Sequence, residues 1–480
     1  MVRVRRDVWR LPEGDETLLW YGLAVEAMME REDEDPTSWV YMACIHGIPD
    51  GQVVPASVRG VWDQCRHASW FFLPWHRAYL ASFEAVVSAT VKELGGPEWS
   101  LPYWNYSDPL AAGAERRLLP EAFRSARRPD GSSNPLFAPR AVDAAGDAGL
   151  SDDNIVSLAC LGVPTFATGA AATPDGFGGS DEVDPSAAGT GELEAVPHNA
   201  VHRRLGGAGG WMGSTATAAL DPIFWLHHCF IDRIWEVWRN RSGVSGSPGA
   251  ARWRDQKSPF PNATGAIVRL AASEVLVTTK LMHGYRYDDV APATEPPGGG
   301  ARLMAGRVSR EGRMRGGNDG PVPLGSGETS TVVRMDAPRG LSAFSVREPR
   351  RALLGVENVT GAGITPDYEV FVERTDGSDA VRVGRLTTFG LTRASSPEDR
   401  HGGGGLSKTF DVTAALADLG LGGVEAGEFS VRFVAQPLPE ARGEPPARLA
   451  RFARPRAEGT VTVGRVNLYR SAPTPLDDID

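Results

Sequence analysis

Histidine is scarce in this chain, nine in 480 residues, yet six of them fall into two groups of three: His46, His67 and His76, then His198, His202 and His228. Such clustering points to two metal ions. His198 and His202 are four residues apart, so on a helix their imidazoles share a face one turn apart and can address one ion. An isolated HxxxH pair has a high false-positive rate, with a chance pair or a core histidine as the bland alternative. Here the pair has company: Asp221-Pro-Ile-Phe-Trp-Leu-His-His228 follows it, and the first group contains His67-Ala-Ser-Trp-Phe-Phe-Leu-Pro-Trp-His76. Imidazoles with no thiolate or carboxylate among them suit copper, and also zinc, and disfavour magnesium, calcium and manganese. A helical di-iron site would need Glu and a Glu-x-x-His spacing. A zinc peptidase would need Glu directly after its first His, where this chain has Asn199. Redox chemistry requires the copper option.

These residues need helices to position them. Asp221 reads as an N-cap and Pro222 as the first helical position of an apolar, buried helix running to Arg239. His227 and His228 are adjacent, and successive helical side chains diverge by roughly 100°, so only one of them points squarely at a given ion; spacing alone does not choose. Helical periodicity also covers Thr17 to Glu30, Thr37 to His46 and His76 to Leu94, and helical signals dominate as far as about Asp289. Between Ala114 and Glu192 the Gly, Ala, Asp and Pro content predicts irregular surface loop. A Pro/Gly/Arg-rich stretch over 291–330 reads as a linker, and from Thr331 onward short β-branched runs punctuated by glycine predict an all-β sandwich-like domain.

The length exceeds the usual single-core size, so two domains are expected. A net charge of −10 and a pI near 5.5 argue against a nucleic-acid partner or an anionic membrane and favour a small molecule. The basic N-terminus is followed by no apolar h-region, and no stretch approaches a membrane span. The expectation is a cytoplasmic protein, with secretion by another route as the alternative. Four scattered cysteines do not form a disulfide framework, and buried thiols are the default reading for Cys44, Cys160 and Cys229.

The segments from His67 to Glu84 and from Asp221 to Asp232 closely resemble the two signature stretches of tyrosinases and polyphenol oxidases, the type-3 dicopper proteins. Tyr285-Arg-Tyr287 resembles the motif that closes the catalytic core in that family, and Lys408 to Thr413, Phe429 to Pro437 and Thr460 to Tyr469 look like the C-terminal domain of the long plant-type forms. The resemblance covers most of the chain and is strongest at the helical copper segments. It implies a mainly α-helical dicopper core, a four-helix bundle, followed by a C-terminal all-β domain. Residues 1–290 are then the catalytic domain, 291–330 a linker, and 331–480 a β domain that covers the site until removed or displaced.

The resemblance also implies roles for single residues. His46, His67 and His76 hold the first copper, and His198, His202 and His228 the second, so that His228 rather than His227 is the ligand. Cys65, two residues before His67, is a candidate for a thioether bond to that ring, although Cys44 precedes His46 at the same spacing. Glu194 and Asn199 are candidates to activate a water as general base, against a solvated glutamate and a local backbone cap. Thr215 aligns with the gate above the second copper, and Arg203, next to His202, is a candidate to contact an acidic substrate, with an ion pair to Asp or Glu as its alternative. Asp232 is a candidate second group behind a ligand ring, with a plain ion pair as its alternative. Phe71, Phe72, Trp75 and Trp225 lie near ligands in sequence, and for most of them packing is the expected role. The implied activity uses two copper ions and O2 as cosubstrate to hydroxylate monophenols and oxidise o-diphenols to o-quinones. Copper chaperones and activating proteases are the macromolecular partners it implies. Alternatives are a catechol oxidase or o-aminophenol oxidase without monophenolase activity, and haemocyanin-like oxygen binding; the single copper unit, with no internal repeat, argues against the last.

Overall fold

A computed structural model describes residues 2–107, 114–143, 145–150, 152–168, 175–181, 189–293, 313–335, 351–399, 402–422, 427–452 and 458–471. Five helices form the frame of the first part: α1 (Thr17–Glu30), α2 (Trp39–His46), α3 (Phe72–Glu93), α4 (Ala200–Gly206) and α5 (Ile223–Arg239). Four of them carry grouped histidines, since α2 ends on His46 and α3, α4 and α5 contain His76, His202 and His228. Helix α2 starts at Trp39, after the predicted Thr37, because the Ser38 hydroxyl caps it by accepting from the Tyr41 N–H at 3.0 Å. Helix α3 starts four residues ahead of the predicted His76. Pro74 lies in its first turn, where a missing N–H breaks no intrahelical bond. At the head of α5 the Asp221 carboxylate accepts from the Ile223 N–H at 3.1 Å and is paired with buried Arg140 at 2.5 Å.

Helices α3 and α5 face each other, with Phe83 and Trp225 stacked at a centroid distance of 3.5 Å. They are also clamped by buried charge. Asp232 of α5 accepts from Arg77 Nε of α3 at 2.5 Å and from the Tyr285 and Tyr287 hydroxyls at 2.6 and 2.5 Å. Arg77 also pairs with Glu236 at 2.8 Å, and Arg5 pairs with Glu84 at 2.8 Å and with Asp232 at 3.4 Å. Arg3–Arg5 pairs in parallel with Tyr285–Tyr287, so the start and end of the helical part meet over this cluster.

Among the described residues the second part forms a nine-stranded sheet with its own apolar core. Its strands are Arg313–Gly317, Val322–Leu324, Glu328–Met335, Arg351–Ala362, Asp367–Glu373, Ala380–Leu386, Leu406–Asp411, Gly427–Gln436 and Thr460–Ser471. All pairings are antiparallel, and Thr460–Ser471 is central, bonded to Arg351–Ala362, Arg313–Gly317 and Val322–Leu324. The sheet curls so that its end strands meet: a Cβ at Gly384 would lie 2.7 Å from the Phe410 ring. Two strands and the start of a third lie inside 291–330, the stretch expected to be a linker. Glycine hides them, since a Cβ at Gly316 would lie 2.2 Å from the Arg334 carbonyl oxygen, so this close strand pairing excludes the side chains that would reveal an alternating pattern. Residues 294–312 of that span lie outside the described residues.

Replacing Arg77 by Met leaves Asp232 and Glu236 buried without their shared cation. The expected cost is about 3–5 kcal/mol, measured as a fall in the denaturant midpoint of the helical signal; a loss below about 1 kcal/mol would show that the clamp does not hold α3 to α5.

Candidate metal centre

The structure brings the histidines into two groups. Ligand atoms of His46, Cys65, His67 and His76 lie within 4.8 Å of one another, as do those of His198, His202, His227 and His228. The groups adjoin, because the His76 and His228 rings stack at 4.5 Å between centroids, 17° from parallel.

Backbone carbonyls set the direction of three of these rings. The Nδ1–H of His46 donates to the Thr215 carbonyl at 2.8 Å, that of His76 to Phe72 at 2.8 Å, and that of His202 to Met212 at 2.9 Å. This fixes the tautomer and leaves the Nε2 lone pair as the free donor. His198 Nδ1 is held instead by Asn199 Oδ1 at 2.8 Å. Close backbone approach makes two of these bonds available. A Cβ at Gly47, which follows His46, would lie 2.4 Å from the Thr215 carbonyl oxygen, and one at Gly206 would lie 1.9 Å from the Gly213 nitrogen beside Met212. Glycine is required at both places by contact rather than by backbone angle.

His228 Nε2 lies 3.2 Å from His198 Nε2 and 3.1 Å from His202 Nε2. Three nitrogen lone pairs at that separation repel unless a cation sits among them. Adjacent His227 is turned toward Tyr106, whose hydroxyl lies 3.0 Å from its Nδ1 and whose ring lies alongside it at 5.7 Å. Burial lowers the proton affinity of all seven rings, down to about 3 for His76 and His202, so they are neutral at neutral pH. Neutral, preoriented imidazoles without a carboxylate among them fit copper.

The other predicted residues are distributed as follows. Cys65 Sγ lies 3.2 Å from His67 Nδ1 and 3.6 Å from His76 Nε2. The buried Glu194 carboxylate accepts from the Ala68 N–H at 2.8 Å and lines a cavity with His67, Thr190 and Thr215. Thr215 thus both lines this mouth and supplies the carbonyl that orients His46. Asn199 gives its oxygen to His198 and its amide to Thr387 Oγ1 at 3.2 Å. Arg203 does not face an open mouth as a substrate contact would. It is buried against the β domain, donating to the Gly213 and Thr365 carbonyls, with Nε 3.5 Å from Asp367. Asp232 reaches no ligand ring, because Arg77, Arg5, Tyr285 and Tyr287 occupy both its oxygens. Of the aromatic candidates, Phe72 lies between His76 and His198 at 4.6 and 4.7 Å, whereas Trp225 packs on Phe83.

The sequence reading missed two residues of consequence. Phe224 lies against His228 at 4.1 Å. Phe389, from the loop after the Ala380–Leu386 strand, stacks on His202 at 4.3 Å and 22° and sets its edge toward His198 and His67 at 5.7 and 5.5 Å. Its one local signal is a large apolar ring directly before Gly390, which is left-handed at φ 80°.

His228→Ala should reduce copper from about two ions to about one per purified chain, and His227→Ala should leave it near two, measured by elemental analysis. Equal loss in both variants would make His227 an equal member of the second group.

Residues 36–141 and 153–241 match the family model described as the common central domain of tyrosinase, and residues 312–471 match a domain of unknown function (DUF7868). Tyrosinase HcTyr1 of Hahella sp. (strain CCB-MM4) is 34% identical over 448 residues, covering 87% of this chain and 92% of that protein. A chloroplastic polyphenol oxidase of Malus domestica is 26% identical over 399 residues, covering 74% of this chain and 63% of its own length. The fold is that of latent apple tyrosinase, with a TM-score of 0.59 at 21% identity over 98% of this chain and 97% of the other. With two imidazole groups of copper character at its centre and a homologous tyrosinase matched along nearly its whole length, the chain belongs to the tyrosinase family of dicopper phenol oxidases.

Proposed function

We propose that this phenol oxidase both hydroxylates monophenols and oxidises o-diphenols to o-quinones, and that its β domain keeps it latent by filling the place of the substrate ring. The observation that carries this reading is the Phe389 ring, stacked on His202 and flanked by His198 and His67. A phenol of the same width fits there once Phe389 withdraws.

His46, His67 and His76 would hold one copper, and His198, His202 and His228 the other. When bound, the pair supplies two electrons to O2 at a time. The chain's own contribution is position and proton handling. His202 offers a flat face that holds the ring, and small Thr215 leaves the mouth open to it. Glu194, with Asn199 beside His198, holds a water that takes the phenol hydroxyl proton. The β domain is held over the mouth by charge: Arg393 reaches Asp63 at 2.7 Å, and Lys408 reaches Glu192 and Asp175 at 2.7 and 2.9 Å. A protease that cuts between the two parts would release it, and a copper chaperone would supply the metal. Cys65 Sγ, 3.2 Å from His67 Nδ1, is close enough to the ring for a thioether, in which an S–C bond replaces the S–H and a ring C–H and the cosubstrate O2 takes up the two electrons and two protons released.

In the copper-loaded full chain, Phe389→Ala should raise catechol oxidation about tenfold or more; an unchanged rate would remove the shielding role and leave the oxidase reading standing. With tyrosine or phenol, the opened enzyme should consume O2. Consumption with catechol and o-aminophenol alone would replace the monophenolase reading by the catechol or o-aminophenol oxidase one. Intact mass of copper-matured protein should be two hydrogens lighter than the sequence mass, and Cys65→Ser should abolish that difference; an unshifted mass shows that the thioether does not form.

A further inference from the structure

Residues 437–452 lie between Gly427–Gln436 and Thr460–Ser471, both strands of the sheet, yet they pack on the helical part as a strap. The Arg442 N–H donates to the Arg140 carbonyl at 2.8 Å, and the Arg140 N–H donates back to the Arg442 carbonyl at 3.2 Å. A second pair joins the strap to the turn after α4: the Ala208 N–H donates to the Pro439 carbonyl at 2.8 Å, and the Ala441 N–H to the Ala208 carbonyl at 3.0 Å. Leu449 and Phe452 are buried in the apolar core of the helical part. A Cβ at Gly207 would lie 2.1 Å from the Pro439 carbonyl oxygen, so the residue that ends α4 is one that admits the strap.

Both points of attachment lead to the second histidine group. The Arg140 side chain holds Asp221 at the head of α5, the helix of His228. Ala208 stands in the turn between α4 and Met212, whose carbonyl orients His202, and the neighbouring Trp211 donates its indole N–H to the Phe452 carbonyl at 3.2 Å. His76 of the first group takes its direction from Phe72 in its own helix. Removing the strap would leave the Trp211 indole N–H and the Arg140 backbone N–H and carbonyl unpaired at residues that are otherwise buried, which is unfavourable. We infer that 437–452 is a fixed brace of the second histidine group rather than part of the cover, with Trp211 and Phe452 as positioning residues that act on His202 through Met212. A single cut between the two parts then frees the sheet from the mouth and leaves it tethered through the strap. This rests on the two copper groups and is independent of which phenol is oxidised.

The first test is equilibrium competition for copper between the full chain and a chelator of known affinity. Phe452→Ala should weaken one of the two copper sites about tenfold or more and leave the other unchanged. Phe452→Leu, which refills the buried place, should restore most of that affinity. Equal weakening at both sites, or at neither, overturns the brace. The second test needs no core substitution and serves if Phe452→Ala does not fold. A protease site is placed within 294–312 of the copper-loaded full chain, the chain is cut once, and its fragments are run by size exclusion in 1 M NaCl. The Debye length there is about 3 Å, so exposed ion pairs between the two parts are screened. The fragments should elute together with two copper ions per pair, and their separation overturns the inference. Neither outcome touches the oxidase reading, which fails instead if the copper-loaded Phe389→Ala chain does not oxidise catechol.

Discussion

An imidazole has two nitrogens and can offer either one, so a ring near a metal is useful only when something decides which nitrogen faces inward. In this chain the decision is made by hydrogen bonds on Nδ1, from the carbonyls of Thr215, Phe72 and Met212 and the side-chain oxygen of Asn199. Each bond settles tautomer and direction together. Burial then keeps the rings unprotonated, so the donors are ready before a metal arrives. The glycines at 47 and 206 follow from this requirement, because they let neighbouring backbone come close enough to supply its carbonyls.

Oriented rings still have to be set at the right separation, and that is the work of the buried charges between α3 and α5. Arg77 lies next to His76, and Asp232 lies one turn after His228. Their 2.5 Å contact fixes the helices whose histidines stack at 4.5 Å across the centre. Arg5, Tyr285 and Tyr287 bring both ends of the helical part into the same cluster. Breaking it by removing one partner strands a buried charge, which couples the integrity of the whole helical part to the geometry of the centre.

The β domain has an apolar core of its own and meets the helical part through both charged and apolar contacts: Arg393 with Asp63, Lys408 with Glu192 and Arg203 with Asp367, and Phe389, Leu449 and Phe452 packed into the core of the helical part. Of these, Phe389 comes nearest the centre, its ring stacked on the flat face of His202.

The histidine groups, the helices that carry them and the presence of a β-rich second part are legible in the chain itself, because helical spacing, capping residues and β-branched runs are local signals. Local patterns gave no means of choosing between His227 and His228. In the packed α5 the His227 Nδ1 lies against the Tyr106 hydroxyl and the His228 Nε2 against His198 and His202. The strands beginning at Arg313 were hidden by glycines whose purpose is contact with a partner strand distant in sequence. Asp232 and Arg203 form ion pairs with residues 155 and 164 positions away, separations no motif reports. Which donors are available, and in what order the elements carrying them come, can be read from the residues alone. Which nitrogen faces the centre, how far apart the groups stand and that Phe389 lies on His202 follow from packing, because each depends on contacts between segments whose separation along the chain leaves no periodic trace.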